Sequence, residues 1–423
     1  MKKLLFSGLL AALPVLAQAA PPAAQPDEEL DALNVADQAP VQVEQAADWR
    51  SFVETAYGNT QQRYGLPGYQ SGRISIDTAL DKTLAPGWRL VFADRLDWNW
   101  QGEAPDQAKI NTLKELYLSW HVSQEQIVDF GRINTRYGVA TGYNPTDYFR
   151  DDAVRSIVSV NPSSLRNNRL GSVMLRGQTL WDGGSLTAML SPKLDSTPSG
   201  EPFNVDLGAT NHVNRYLLAA SQQFSDTFNP QVLLYGEQGK SPQVGLDLTR
   251  LLGDATVAFV EWSGGRSASQ YAQAFGGPEQ DTFRNRVTAG LTYTTENKIS
   301  LTLEAEYDGA AMDKANWNAL PQQGIARYLQ YRDSVQAAQD LPTKEALFAY
   351  ASWQDASVTH LDLTALMRQD LSDQSRLSWA EARYHWEHAD LALQWQRYGG
   401  KPWSDFGVLP GRTSWQAVAT YYF

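Results

Sequence analysis

From Trp49 to Phe423 the chain alternates apolar and polar residues with a period of two, in eighteen separate segments. A strand sends successive side chains to opposite faces, so each segment reads as an amphipathic β-strand. The segments are 49–58, 70–82, 87–100, 111–123, 126–134, 169–180, 184–192, 212–224, 230–238, 243–252, 255–262, 284–294, 298–308, 344–354, 357–368, 375–387, 390–398 and 413–423. Most have roughly the 9–11 residues, or slightly more, that a tilted strand needs to cross a bilayer. After the first residues no run of about 18 apolar residues occurs, so no helix is expected to span a membrane.

The connections alternate in length. Short ones fall at 83–86, 124–125, 181–183, 225–229, 253–254, 295–297, 355–356 and 388–389, and several are turn-rich: Pro86-Gly87, Asp182-Gly183-Gly184, Asn229-Pro230, Gly253-Asp254 and Glu296-Asn297. Between them lie 59–69, 101–110, 135–168, 193–211, 239–242, 263–283, 309–343, 369–374 and 399–412, most of them longer. This parity is expected of an up-and-down antiparallel barrel with its turns at one end and its loops at the other.

Several segments have readable faces. In 87–100, Trp88, Leu90, Phe92, Leu96, Trp98 and Trp100 oppose Arg89, Arg95, Asp97 and Asn99. In 298–308, Ile299, Leu301, Leu303, Ala305 and Tyr307 oppose Ser300, Thr302, Glu304, Glu306 and Asp308. In 357–368, Leu361, Leu363, Ala365 and Met367 oppose His360, Asp362, Thr364 and Arg368. Lys or Arg at mid-bilayer costs about 2–4 kcal/mol, so the charged face is expected to line an aqueous lumen. Asp94 violates this pattern, and 255–262 has no clear phase.

The amino-terminus reads as a secretory signal peptide. Lys2-Lys3 precede an apolar run from Leu4 to Leu16 and the small-residue site Ala17-Gln18-Ala19, which predicts cleavage near Ala19. Loss of the two lysines takes the formal charge from −12 to −14. Residues 20–48, rich in Pro, Ala, Gln and acids, read as a periplasmic lead-in or as a small plug entering the lumen; 49–423 is the barrel. An acidic balance argues against nucleic acid, which needs a Lys/Arg surface. With no cysteine there is no disulfide, thiol nucleophile or thiolate metal site. The 14 Trp and 19 Tyr suit aromatic girdles at two membrane interfaces.

The final segment, Thr413-Ser414-Trp415-Gln416-Ala417-Val418-Ala419-Thr420-Tyr421-Tyr422-Phe423, puts Trp415, Ala417, Ala419, Tyr421 and Phe423 on one face. With the leader and the strand-and-loop parity, it resembles the end of a Gram-negative outer-membrane porin. The expected fold class is therefore all-β: a transmembrane antiparallel β-barrel of about 18 strands, with short periplasmic turns and long extracellular loops. Length and strand count resemble the eighteen-stranded, substrate-selective porins more than the sixteen-stranded general ones. The resemblance implies passive diffusion of small polar or charged solutes in the cell outer membrane, with no enzymatic activity and no cofactor. Its implied partners are outer-membrane lipid, a small solute, and barrel-assembly machinery acting through the strand that ends at Phe423. The assembly would be a monomer or a homotrimer.

In general porins the third loop folds into the barrel and narrows it, and 135–168 holds the corresponding position. Its Arg136, Tyr143, Asp147, Arg150, Asp151, Asp152 and Arg155 mix both charge signs with aromatic rings, as a sieve for size and charge requires. A cover loop packed on the rim is the other reading. Candidates for the lumen wall are Arg73, Arg89, Arg95, Asp97, Arg176, Glu304, Glu306, Asp362, Arg368, Glu381 and Arg383. They form either a transverse field or a set of solvated residues and mutual ion pairs. The stretch 325–336 reads as helical, either capping a vestibule or lying exposed. His385 and His388 are three apart on a strand, hence on opposite faces, and do not chelate a metal. Glu381, Arg383, His385 and Glu387 share a face, which a charged lumen explains without catalysis. A plugged barrel serving as a surface-binding scaffold or export partner is the alternative function.

Overall fold

A computed structural model describes residues 48–101, 109–276 and 281–423. The leader and nearly all of the lead-in lie outside these residues. Eighteen strands follow one another: β1 Trp49–Gln62, β2 Tyr69–Ala85, β3 Trp88–Gln101, β4 Lys109–His121, β5 Gln126–Ile133, β6 Ser172–Trp181, β7 Gly184–Ser191, β8 Arg215–Gln222 and β9 Gln231–Glu237. The second half comprises β10 Gln243–Gly253, β11 Thr256–Ser267, β12 Thr282–Thr294, β13 Ile299–Asp308, β14 Glu345–Trp353, β15 Leu361–Asp370, β16 Arg376–His385, β17 Ala389–Gly399 and β18 Gly411–Tyr422. Each strand pairs antiparallel with its neighbours in the chain, and β1 pairs with both β2 and β18. The ladder from Phe52↔Tyr422 to Gln62↔Gly411 closes the sheet. Closure removes the free edges that an open sheet would leave unpaired in lipid.

The outer surface is an apolar band. At the turn end, Trp49, Trp88, Trp120, Trp181, Tyr293, Trp386 and Tyr421 are exposed, and Trp88 stacks on Trp120 at 5.4 Å. At the loop end, Tyr57, Trp100, Tyr216, Tyr307, Trp395 and Trp415 form a second exposed ring. Aliphatic side chains such as Ile74, Leu116, Leu218, Leu303 and Leu393 are exposed between the rings. An apolar surface this extensive is a membrane-facing one.

The boundaries differ from expectation where local hydrogen bonding competes with the ladder. β15 starts at Leu361, because Asp355 caps a turn by accepting from His360 N at 2.8 Å while its own N donates to Asp362 Oδ1 at 3.0 Å. His360 therefore lies in a turn, not on a strand face. β6 starts at Ser172, since Arg169 and Leu170 belong to the preceding loop. Asp94 does face outward, where its Oδ2 accepts from Asn111 Nδ2 at 2.8 Å beside a bulge that shifts the β3–β4 register. Along β11 the buried positions are Val257, Phe259, Glu261, Ser263 and Gly264, the first four alternating on one face. Apolar residues on the inner face are what hid its phase.

Among the described residues the α-helices all lie in the long connections: α1 Pro162–Asn167, α2 Leu207–Thr210, α3 Gln270–Phe275, α4 Lys314–Ala319 and α5 Ile325–Ala338. The expected helix at 325–336 is thus present within α5. Its Tyr328, Tyr331 and Val335 are buried with Trp317, Leu320 and Met312, and Tyr271, Phe275 and Val408 pack against them. Arg332 reaches Asp405 at 2.7 Å. Burial raises the Asp405 carboxyl, and the Arg332 guanidinium offsets part of that. The helix thereby knits three loops together over one end of the barrel.

Candidate functional site

The chain leaves β5 after Ile133 and re-enters the wall at Ser172; the intervening third loop lies inside the barrel. Its first branch is pulled there by acids and apolar residues on inner faces. Glu261 of β11 accepts from Val139 N (3.0 Å), Ala140 N (3.1 Å), Thr146 N (2.8 Å) and Thr146 Oγ1 (2.8 Å). Glu304 of β13 accepts from Thr141 N at 2.6 Å and Gly142 N at 2.8 Å, and Asp247 of β10 lies 2.9 Å from the same Thr146 Oγ1. Successive backbone N–H groups wrapping a carboxylate make a strong anion nest, here with the anion supplied by the wall. Beside it, Tyr137 and Phe149 are buried against Met174, Met189, Leu217, Leu233 and Tyr235 of the wall. Tyr148 stacks on Tyr235 at 4.5 Å.

Two glycines permit this close approach. A Cβ on Gly138 (φ +98°) would lie 2.6 Å from both carboxylate oxygens of Glu261. One on Gly142 would lie 2.5 Å from Glu306 Oε1 and 2.6 Å from the Phe348 ring. Any larger residue must lift the loop from its seats.

The tip of the loop is clasped to the seventh loop. Arg150 forms an ion pair with Asp340, and its Nε donates to the carbonyl of Ala338 at 3.1 Å, at the carboxy-terminal end of α5. Gln339 Nε2 returns a bond to Arg150 O at 2.6 Å, and Asp152 N donates to Ala337 O at 3.0 Å. The Arg150 guanidinium lies 5.0 Å over the Tyr143 ring. Burial, with Asp308 and Asp340 adjacent, pushes the Tyr143 phenol well above its ordinary range. It is therefore a neutral donor to Asp308 Oδ2, at 3.1 Å. Replacing Arg150 by methionine leaves Asp340 with the Tyr143 hydroxyl (3.3 Å) and, as its one remaining cation, the distant Arg286 (3.9 Å). That should cost about 3–5 kcal/mol. The expected result is proteolytic cleavage of both loops in folded barrels, where the wild type resists.

The second branch crosses the lumen. Val158 O accepts from Arg73 Nη1 of β2 at 3.4 Å. Val160 packs on the cluster of Phe348, Leu366, Leu377 and Trp379 from β14 to β16, together with Tyr398 and Phe406. Arg155 donates to the carbonyls of Asn111, Asn204 and Glu201, each at 2.8 Å, tying the loop to β4 and to the fourth loop. Arg169 grips Asp147 with two nitrogens, at 2.7 and 3.1 Å, and closes the loop on itself.

Further sectors of the wall carry charge outside the seats under the first branch. On β1–β4, Arg73 and Arg95 share Glu54 at 2.5 and 2.8 Å, Arg95 also meets Asp97 at 3.0 Å, and Lys114 meets Asp77 at 2.6 Å. On β16–β17, Arg383 binds Glu381 at 3.0 Å, and His385 Nδ1 lies 2.9 Å from Asp390. His385 Nε2 lies 3.3 Å from Asp362. A cavity of about 130 Å³ on β3–β7 is lined by Arg89, Tyr117, Asp129, Tyr137, Arg176 and Thr187 among others, with Arg176 bonded to Asp129 at 2.8 Å.

The sequence-based candidates thus separate into groups. Tyr143, Arg150 and Arg155 fasten the loop to the wall and to neighbouring loops, and Asp147 closes it on itself. Arg136 pairs with Asn167 and is exposed, while Asp151 and Asp152 are half-buried. Burial, with Asp151 and Asp206 adding repulsion and His212 opposing it, raises the Asp152 carboxyl. Glu304 and Glu306 face the interior but are covered by the loop, Glu306 holding Arg368 at 2.8 Å. Arg73, Arg95 and Asp97 form the β1–β4 ladder; Asp362, Glu381 and Arg383 lie at the turn end. Sequence reasoning missed Glu261, Asp247, Asp340 and Arg169. A signal for the docking surface existed: Met189-Leu190, Leu217-Leu218 and Leu233-Leu234 break the alternation, as strands covered on both faces do. Among the described residues, no group of three or more His, Asp or Glu is arranged to hold a metal.

No family model and no curated protein matches the chain. Solved structures share its fold. OccAB1 of Acinetobacter baumannii superposes with a TM-score of 0.57 at 10% identity, over 89% of this chain and 96% of that one. OpdQ of Pseudomonas aeruginosa gives 0.56 at 9% identity, over 89% and 99%. The outer membrane protein opdK from Pseudomonas aeruginosa gives 0.53 at 7% identity, over 89% and 99%. At these identities the likeness is one of fold.

Proposed function

We propose that the chain is an outer-membrane channel for the passive diffusion of small polar or charged solutes. One observation carries this reading: a closed barrel, apolar outside, keeps ion-paired and hydrogen-bonding side chains on its inner face around an infolded loop. Such side chains at membrane depth are stable only against water or against one another. The likeness in fold to an outer membrane protein supports the compartment. The constriction is formed by the third loop, with Arg136, Asp151 and Asp152 offering charge to a passing solute. Glu381, Arg383 and His385 are engaged with one another and with Asp390, which favours a channel over an enzyme. The strand ending at Phe423 is the segment offered to the assembly machinery. Liposome swelling tests the reading. Vesicles containing the protein should swell in small zwitterions and sugars, at rates that fall steeply with solute size. Swelling no faster than in protein-free vesicles would contradict it.

A further inference from the structure

The barrel wall is incomplete between β4 and β6. β5 is short and pairs with β4 only from Leu116↔Arg132 to His121↔Ile127, so it gives no ladder partner to Lys109–Glu115. Those residues pair on their other side with Ala93–Trp98 of β3, just below Trp100 of the loop-end ring. The breach therefore lies at the depth of the outer leaflet, where an open sheet edge is not tolerated. Three contacts close it. Asn111 N donates to Pro202 O at 2.8 Å, Gly171 N donates to Lys114 O at 3.0 Å, and Arg155 Nη1 reaches Asn111 O at 2.8 Å. Residues 199–206 of the fourth loop thus act as a panel in the wall, held by loop-type contacts in place of a strand ladder.

The chemistry of this panel is unlike the rest of the lipid face. Ile127 and Asp129 line the interior cavity, so Phe130 and Arg132 share the outward face of β5. Arg132 is nevertheless 3% exposed: the panel covers it, and Val205 O accepts from its Nη2 at 2.6 Å. Its Nη1 is buried without a hydrogen-bond partner. On the other side of the breach, outward-facing Asp94 and Asn111 are hydrogen-bonded to each other. Phe203, Val205 and Leu194 of the same loop are exposed apolar residues. A guanidinium with a donor to spare, flanked by apolar side chains at leaflet depth, suits one kind of ligand: a single-chain amphiphile with an anionic head.

Resting on the channel reading, we propose that this breach is a lateral portal, through which an amphiphile passes between the outer leaflet and the lumen when the panel at 199–206 swings away. Arg155 is its latch. It reaches from the third loop to Asn111 of β4 and to the carbonyls of Ser199, Glu201 and Asn204 in the panel. Entry of an amphiphile is thereby coupled to the loop that narrows the pore.

The chain has no cysteine, so a lock can be built without background thiols. Asn111→Cys with Pro202→Cys joins β4 to the panel by a reducible disulfide. Dodecanoate added to a planar bilayer should interrupt the ionic current of the reduced variant, and oxidation should cut the frequency of interruption by about tenfold. Interruptions by butyrate, which enters from water, should be the same in both states. Arg155→Met should raise the dodecanoate frequency without any disulfide. Equal interruption of locked and reduced channels, or no response to Arg155→Met, would overturn the portal. A wild type that carries no current would instead overturn the channel reading beneath it.

Discussion

Glutamine in place of Glu261 is expected to free the third loop from the wall and to raise single-channel conductance, with frequent steps between docked and released levels. Glu261 is fully buried and accepts two bonds from consecutive backbone N–H groups, one more from Thr146 N, and side-chain bonds from Thr146 and Asn144. Hydrogen bonds to a charged acceptor contribute about 1.5–3 kcal/mol, against roughly 0.5–1.5 for neutral pairs. The glutamine keeps the shape but turns an N–H₂ group toward N–H donors, leaving buried groups unsatisfied at about 1–3 kcal/mol each. The loop keeps its clasp through Arg150 and its Tyr137 and Phe149 packing, so the barrel still folds. Conductance traces of variant and wild type, recorded at the same salt, check this. Identical mean conductance and noise would mean that the acid seats do not hold the loop.

Glu54→Gln is expected to turn the pore toward anions. Arg73, Arg95 and Lys114 on β1–β4 are balanced by Glu54, Asp77 and Asp97, and Glu54 bridges both guanidinium groups. Its loss leaves one uncompensated positive charge on the inner wall. A unit charge acts on an ion about 4 Å away with roughly 1 kcal/mol even in water, and with more in a narrow, low-dielectric passage. Anion-to-cation permeability should therefore rise roughly fivefold, read as a shift of the reversal potential in a salt gradient. Glu304→Gln is the informative comparison. Glu304 also faces inward but is 3% exposed beneath the loop, bound to Thr141 N and Gly142 N, so it should alter gating and leave the reversal potential nearly unchanged. Equal shifts in the two variants would contradict the placement of the loop.

That contrast marks how much the amino-acid sequence disclosed. Alternation and turn chemistry are local properties, and they located all eighteen strands, the parity of the connections and the inward phase of Arg73, Arg95 and Glu304. The β18 face carrying Trp415 and Tyr421 was legible for the same reason. What alternation cannot say is whether an inward carboxylate meets water or another piece of the chain. Glu304 and Glu54 look alike in sequence, yet one is a seat for backbone amides and the other a partner of two arginines. Arg150 and Asp147 read as pore charges because they sit in the right loop. Their partners, Asp340 and Arg169, come from a later loop and from a residue assigned to a strand. Phe259 and Val257 obscured the phase of β11 because its inner face is packed, and so Glu261 was missed. Long-range docking is set by contacts between residues far apart in sequence, which no local periodicity carries.

The central claim is that the infolded loop narrows the barrel without sealing it. Purified, folded protein inserted into a planar bilayer tests this directly. The account predicts discrete, equal upward steps of current, ohmic at low voltage. Folded, heat-modifiable barrels that insert and carry no current would contradict it and favour a sealed scaffold.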